Sequence, residues 1–202
     1  MKIAIAGLGP AGSYLAARLS SQHQVEVFEG QQKERFMTTC AWGTGYEGIK
    51  PFLREVGLNF DDYVFHRGRR IYVSAYDAIT IMKAPYLTTF DKPKLLLDMA
   101  NGVNVHYGTY VRPGDLESKY DLVVDATGPY RRLLPKVDTG NDLILPTVQY
   151  LVKYKKAPFD DFYVEPFSSY TGYLWYFPLQ DGTAFLGAGD VNRQHRLVWT
   201  CS

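Results

Sequence analysis

Three hydrophobic patterns divide the chain. The first is a set of short, dense apolar runs at residues 3–6, 25–28 and 121–125. Runs of this length, bounded by turn residues, suit strands buried on both faces of a parallel sheet. The second pattern is helical spacing. A helix is predicted over residues 14–20. Another is predicted over 46–56, where Ile49, Phe52, Leu53 and Val56 share a face and Gly57 is a stop. Asp91 is placed to cap a third helix over 92–99, with Pro93 near its start and Gly102 past its end. The third pattern is alternation or mixed polarity, which predicts short strands at 63–65, 70–74, 78–82, 103–106 and 109–111. Beyond about Pro135, residues 145–153, 162–165, 173–177 and 183–187 read as strands split by Asp-Gly and Pro turns, the pattern of an antiparallel sheet. No repeat, low-complexity tract or long linker interrupts. The expected class is α/β, parallel at the front and mostly antiparallel β behind. The expected domains are 1–135, of which about 63–85 is a candidate to join the second sheet, and 136–202.

The junction between the first run and the first helix carries the most chemistry. Ile3 to Ala6 leads directly into Gly7-Leu8-Gly9-Pro10-Ala11-Gly12, and the second run ends on Glu29. Strand, glycine turn, helix, strand and terminal acid form the layout that grips a dinucleotide. The first glycine makes the tight turn, the second lets the backbone approach a pyrophosphate, and the third lets helix and strand pack closely. The helix N-terminus faces the phosphate charge. Pro10 suits the first helical turn, where its missing N–H costs nothing. Glu29, about 20 residues beyond the glycines, stands where a carboxylate accepts hydrogen bonds from a ribose. A βαβ unit with no ligand would leave Glu29 unexplained.

Composition narrows the setting. A chain of 202 residues can bury a real core. The net charge of +1 gives no global push toward nucleic acid. Arg67, Arg69, Arg70 and Arg131, Arg132 form clusters small enough to read as solvated surface. The cysteines, Cys40 and Cys201, do not make a disulfide framework. Lys2 and the run after it look superficially like a signal peptide, but Gly7 to Gly12 interrupts too early. No stretch approaches the ~20 apolar residues of a membrane span. The protein is expected in the cytoplasm, with peripheral membrane contact left open. His23, His66, His106 and His195 are scattered, and no metal-ligand spacing or Ser/His/Asp set appears.

A second glycine turn, Asp125-Ala126-Thr127-Gly128, follows the strand at 121–125. In a doubly wound sheet the carboxyl ends of strands face the ligand, which brings Asp125 and Thr127 toward the crevice of Gly9. The order of Gly7 to Gly12, Glu29, Phe90-Asp91 opening a helix, the Ala-Thr-Gly turn and an antiparallel segment resembles FAD-dependent oxidoreductases of the aromatic hydroxylase superfamily. Within it, Tyr173-Leu174-Trp175-Tyr176-Phe177-Pro178 is similar to the Tyr-x-Trp-x-Phe-Pro motif of geranylgeranyl reductases. Those enzymes saturate isoprenoid chains of archaeal lipids and chlorophyll precursors. Phe185 to Gly189 stands near the family's Val-Gly-x-Gly strand, and Thr38 to Gly43 stands where the family has a Cys-Gly loop beside the flavin.

The resemblance implies a Rossmann-like FAD-binding domain with an attached, incomplete antiparallel substrate domain. It implies FAD along Gly7, Gly9, Pro10, Ala11 and Gly12, with its ribose on Glu29. Ala41, Trp42, Gly43, Val111, Asp125, Thr127 and Gly128 complete the implied cofactor contacts, and Cys40 is the implied catalytic residue. Tyr173, Trp175, Phe177 and Pro178 are the implied substrate wall. The first three alternate along one strand and so share a face, which suits a long apolar ligand or flat ring as well as a hydrophobic core. An isoprenoid or other apolar small molecule is the implied substrate, and NAD(P)H or ferredoxin the implied electron donor. The sequence departs from the family in three places. Ala41 replaces a glycine, Leu87-Thr88-Thr89 replaces a segment with an arginine, and residues 196–202 lack family character. Gly189-Asp190 has the letters of the family's Gly-Asp motif but stands in the sheet, so the chain is expected to be an N-terminal portion of such a protein. The same residues also fit a flavin monooxygenase or halogenase, a remnant without activity, or a plain NAD-dependent enzyme.

Overall fold

The structure, a computed structural model, describes residues 1–76, 78–135, 137, 140 and 142–192. His195, Cys201 and residues 196–202 lie outside the described residues. The elements in chain order begin with β1 (Lys2–Ala6), α1 (Pro10–Leu19), β2 (Gln24–Glu29), β3 (Gly43–Gly45), α2 (Tyr46–Arg54), β4 (Val64–Arg67), β5 (Arg70–Ala75) and β6 (Ala78–Lys83). They continue with β7 (Leu87–Phe90), α3 (Lys92–Met99), β8 (Asn104–Tyr107), β9 (Leu122–Asp125), β10 (Thr147–Lys153), β11 (Phe162–Pro166), β12 (Gly172–Pro178) and β13 (Thr183–Asp190). They fall into two compact units. The first holds residues 1–39, 51–59 and 92–138, and the second holds 40–50, 60–91 and 139–202.

The first unit is built on a parallel sheet of order β8-β2-β1-β9. β1 is central, and Ile3, Ala4, Ile5 and Ala6 are all buried, which is why its sequence reads as an unbroken apolar run. Helices α1 and α3 pack against each other, and α3 contributes buried Leu95, Leu96 and Met99. After β1 the chain builds toward β2 and β8, and then returns to the other side of β1 with β9. That reversal is a topological switch point, where doubly wound sheets open a crevice at their carboxyl ends.

The glycines between β1 and α1 explain the turn. Gly7 has φ +99°, and a side chain there would meet the Ala126 carbonyl oxygen at 2.5 Å. A Cβ on Gly12 would fall 1.9 Å from the Gly7 carbonyl oxygen. Strand and helix can approach this closely only because both positions lack a side chain. The strand expected at 109–111 is instead a loop. Gly108, at φ +65°, turns the chain so that its N–H donates to Gln31 and the next one, of Thr109, to Glu29. These bonds fasten the segment to the end of β2 in place of a ladder.

The second unit contains a six-stranded sheet of order β10-β13-β12-β11-β5-β6, antiparallel except at β11/β5, and a three-stranded sheet of order β3-β7-β4. One face of the larger sheet buries Tyr163, Tyr176 and Ala184; another cluster joins Trp42, Leu179 and Phe185. Strand β7 was not expected, because Thr88 and Thr89 look polar. Both are fully buried, and their hydroxyls donate to the carbonyls of His66 (2.7 Å) and Pro178 (2.5 Å). Asp161 is also fully buried. Its carboxylate accepts the N–H groups of Arg69 (2.8 Å), Arg70 (3.0 Å) and Phe162 (3.0 Å) and faces His66 Nε2 at 3.0 Å. Burial raises the Asp161 pKa, but the backbone donors and His66 outweigh it and hold the group below the ordinary carboxylate value.

Candidate functional site

A cavity of about 600 Å³ opens in the first unit at the carboxyl ends of β1, β2 and β9. Gly7, Gly9, Pro10 and Ala11 line it from the turn and first residues of α1. Phe28 and Glu29 line it from β2, and Tyr110 and Val111 from the loop after β8. Asp125, Thr127 and Gly128 line it from the end of β9, followed by Tyr130, Arg131 and Arg132. Gly12 is buried behind this surface, where it seats α1 on the turn.

Each wall has a physical reason. Nothing lies within 4 Å of where a Cβ on Gly9 would be, so this backbone is open to an incoming group. The first turn of α1 carries no acid, which leaves its N-terminal N–H groups and dipole unopposed for an anion. The Glu29 carboxylate accepts the Leu8 N–H at one oxygen and the Gln31 N–H at the other, each at 2.8 Å. An ionised carboxylate has about four acceptor positions, so two bonds fix it in place and leave capacity for hydroxyl donors. Asp125 accepts the Thr127 N–H (3.0 Å), the Thr127 hydroxyl (2.6 Å) and the Leu133 N–H (2.9 Å). Burial raises its pKa, but these donors outweigh burial and hold it below the usual carboxylate value. The donor set suits the adenosine and pyrophosphate part of a dinucleotide: open glycine backbone and an uncapped helix for phosphate, an anchored carboxylate for ribose.

The second unit has its own cavity of about 830 Å³, with an almost wholly apolar lining. Val164 and Pro166 of β11, Tyr173 and Phe177 of β12, and Leu143 and Leu145 ahead of β10 supply most of it. Tyr173, Trp175 and Phe177 alternate on one face of β12 as their spacing predicts. Trp175 is not among the cavity's lining residues. It packs against β13, where a Cβ on Gly187 would meet its ring at 2.2 Å. Its indole N–H is buried without a hydrogen-bond partner among the described residues. Pro178 is buried, and its carbonyl takes the Thr89 hydroxyl.

The loop with Cys40 belongs to the second unit. Cys40 and Ala41 pack against the cluster of Trp42, Leu179 and Phe185, and the Gln149 amide donates to the Cys40 carbonyl at 3.1 Å. Trp42 has φ +51°, rare for a bulky residue. Its ring meets Phe185 edge-on at 4.8 Å, and its backbone N–H donates to the Cys40 sulfur at 3.4 Å. A Cβ on Gly43 would meet the Phe177 ring at 2.7 Å.

Sequence reasoning set Arg131 and Arg132 aside as solvated surface, and passed over Tyr110 and Tyr130. For Tyr130, Arg131 and Arg132, the position just after the Ala-Thr-Gly turn was the available signal. Among the described residues no group of three or more His, Cys, Asp or Glu could hold a metal ion, and no helix is long and apolar enough to cross a membrane.

No protein-family model matches the chain, and no curated protein matches it. Solved structures do. A geranylgeranyl bacteriochlorophyll reductase-like protein from Thermoplasma acidophilum matches all of the chain with TM-score 0.68 at 15% identity. The myxobacterial chondrochloren halogenase CndH, an FAD-dependent halogenase, matches 99% of it with TM-score 0.70 at 15% identity. PqsL, a probable FAD-dependent monooxygenase from Pseudomonas aeruginosa, matches 98% of it with TM-score 0.64 at 18% identity. The chain spans 58%, 55% and 62% of those chains respectively. Likeness at this identity shows the fold alone: a parallel sheet followed by antiparallel sheets, in the order the sequence implied.

Proposed function

We propose that this chain is the FAD-binding and substrate-sheet part of an oxidoreductase that reduces carbon–carbon double bonds of isoprenoid chains. The cavity at the switch point of the parallel sheet carries the flavoprotein half of this reading. Its glycine backbone, helix N-terminus and anchored Glu29 match the phosphate and ribose groups of a dinucleotide. When bound, FAD supplies hydride transfer. The residues of this chain bind and orient the adenosine end and hold the Glu29 carboxyl in place for hydroxyl donors.

The apolar cavity of the second unit supports the substrate class. A lining of Leu143, Leu145, Val164, Pro166 and Phe177 accepts hydrocarbon and offers almost nothing to a polar molecule. Tyr173 and Phe177 provide faces for a flat or unsaturated group, with Trp175 and Pro178 backing the same strand. Cys40 is assigned a role in reduction through the loop resemblance, and Cys40→Ser with unchanged turnover would withdraw it. NAD(P)H or a ferredoxin is the electron donor in this reading, and an isoprenoid lipid brings the protein to a membrane surface.

The test is spectroscopic and then chemical. Protein incubated with FAD and desalted is expected to stay yellow with stoichiometric flavin. Reduced without oxygen and given geranylgeranyl diphosphate, it is expected to return a more saturated chain. A colourless protein would favour an inactive remnant. Oxygen-dependent hydroxylation or halogenation of an aromatic compound would favour the second reading, which the ring-sized wall of Tyr173 and Phe177 also fits.

A further inference from the structure

The cavity of the first unit is lined by two cations that the glycine turn does not explain. Two acids, Glu29 and Asp125, and two arginines, Arg131 and Arg132, line it. Both acids are engaged by protein donors: Glu29 by two backbone N–H groups, and Asp125 by Thr127 and Leu133. Neither arginine has an ion-pair partner among the described residues. Arg132 is held by rings instead, 5.8 Å from the Tyr110 centroid and 5.2 Å from that of Tyr130. A ring face fixes a guanidinium without neutralising it, so the positive charge stays available.

The loop is built to present both arginines. Consecutive side chains in an extended segment point in opposite directions. Arg131 instead adopts the left-handed conformation, φ 43° and ψ 54°, which breaks that alternation, and both residues line the cavity. The segment is fastened at the second arginine and at the residue after it. The Arg132 N–H donates to the Thr127 hydroxyl at 2.9 Å, and the Leu133 N–H donates to Asp125 at 2.9 Å. A non-glycine residue in this conformation persists where its surroundings over-determine it, which these bonds do.

We propose that Arg131 and Arg132 meet the phosphate charge of the nucleotide, and that Asp125 and Thr127 are the positioning residues that hold them there. The cavity then selects a nucleoside diphosphate over an uncharged nucleoside. This rests on the nucleotide reading given above. It assigns the charge recognition to a loop more than a hundred residues along the chain from the glycine turn.

Calorimetric titration of the full chain with ADP, adenosine and inorganic pyrophosphate tests it. ADP is expected to bind at least about 10-fold tighter than adenosine, with the gap narrowing as salt screens the charges. Arg131→Gln and Arg132→Gln are each expected to weaken ADP about 10-fold and leave adenosine unchanged, as for loss of a charge-assisted bond. Arg132→Lys is expected to recover part of the loss. A double Gln variant that binds ADP as the unaltered chain does overturns the assignment and leaves the nucleotide reading standing. Pyrophosphate binding as tightly as ADP overturns the selection of a nucleotide. An unaltered chain that binds neither ADP nor FAD overturns both.

Discussion

The two cavities are made of different materials. The one in the first unit rests on backbone at its glycines, helix N–H groups and carboxylates pinned by main-chain donors, with a few rings and two arginines completing it. The one in the second unit is walled by side chains, drawn from a sheet face and from a segment ahead of β10. Backbone walls tolerate almost no change at a few positions, because an added atom meets something that cannot move. Side-chain walls tolerate change more evenly, because neighbouring side chains can repack.

The sharpest way to break the comparison is to put a side chain where the backbone closes. Gly12→Val is expected to cost roughly 3 kcal/mol or more and to abolish nucleotide retention, since a Cβ there sits 1.9 Å from the Gly7 carbonyl oxygen. Thermal unfolding and flavin fluorescence would show it, and near-normal values for both would refute the close packing. Asp161→Ala comes next. It leaves buried N–H groups without their acceptor and is expected to cost about 3 kcal/mol with ADP affinity unchanged. A denaturant curve beside an ADP titration measures both.

A matched pair sharpens the contrast at smaller scale. Gly9→Ala is expected to leave stability within about 0.5 kcal/mol, because its Cβ meets nothing within 4 Å. Nucleotide binding should still weaken about 10-fold, because the methyl enters the opening. Tyr173→Ala is expected to weaken an isoprenoid ligand by about 10-fold and leave nucleotide binding alone. If each substitution affected both ligands equally, the division of labour between the two cavities would be wrong.

The smallest effect is one of pH. Asp125 titrates below its ordinary value in the folded protein because its donors outweigh the burial that raises it. Its stabilisation is therefore fully present above the unfolded carboxylate value, about 3.9, and is lost as pH falls through the lower folded value. Asp125→Asn should lower the melting temperature at pH 6 and flatten its fall toward pH 3. An unchanged slope would remove Asp125 from that role.

The same difference of material governs what could be read in advance. Gly7, Gly9, Gly12 and Glu29 are close in sequence, and each meets a local geometric demand, so spacing reveals them. Asp125, Thr127 and Gly128 were legible because they follow a dense apolar run, although β9 itself lies at the sheet edge with Leu122 exposed. Arg131 and Arg132 were not, since two exposed cations look the same on a loop as on a cavity wall. Thr88 and Thr89 concealed strand β7 because only the fold supplies the carbonyls that bury their hydroxyls. The strand expected at 109–111 failed for the converse reason: apolar and β-branched residues fit a ladder, but Gln31 and Glu29 took the first N–H groups.

Local periodicity and the glycine spacing determined the α/β order, the parallel front, the antiparallel back and the glycine turn between β1 and α1, because these depend on neighbours within a few residues. The tertiary structure decided the rest. It put Trp175 against Gly187 while Tyr173 and Phe177 reached the cavity. It joined the Arg131–Arg132 loop to the glycine turn across one crevice. Both outcomes follow from which strands lie side by side, and that depends on packing between segments far apart in the chain.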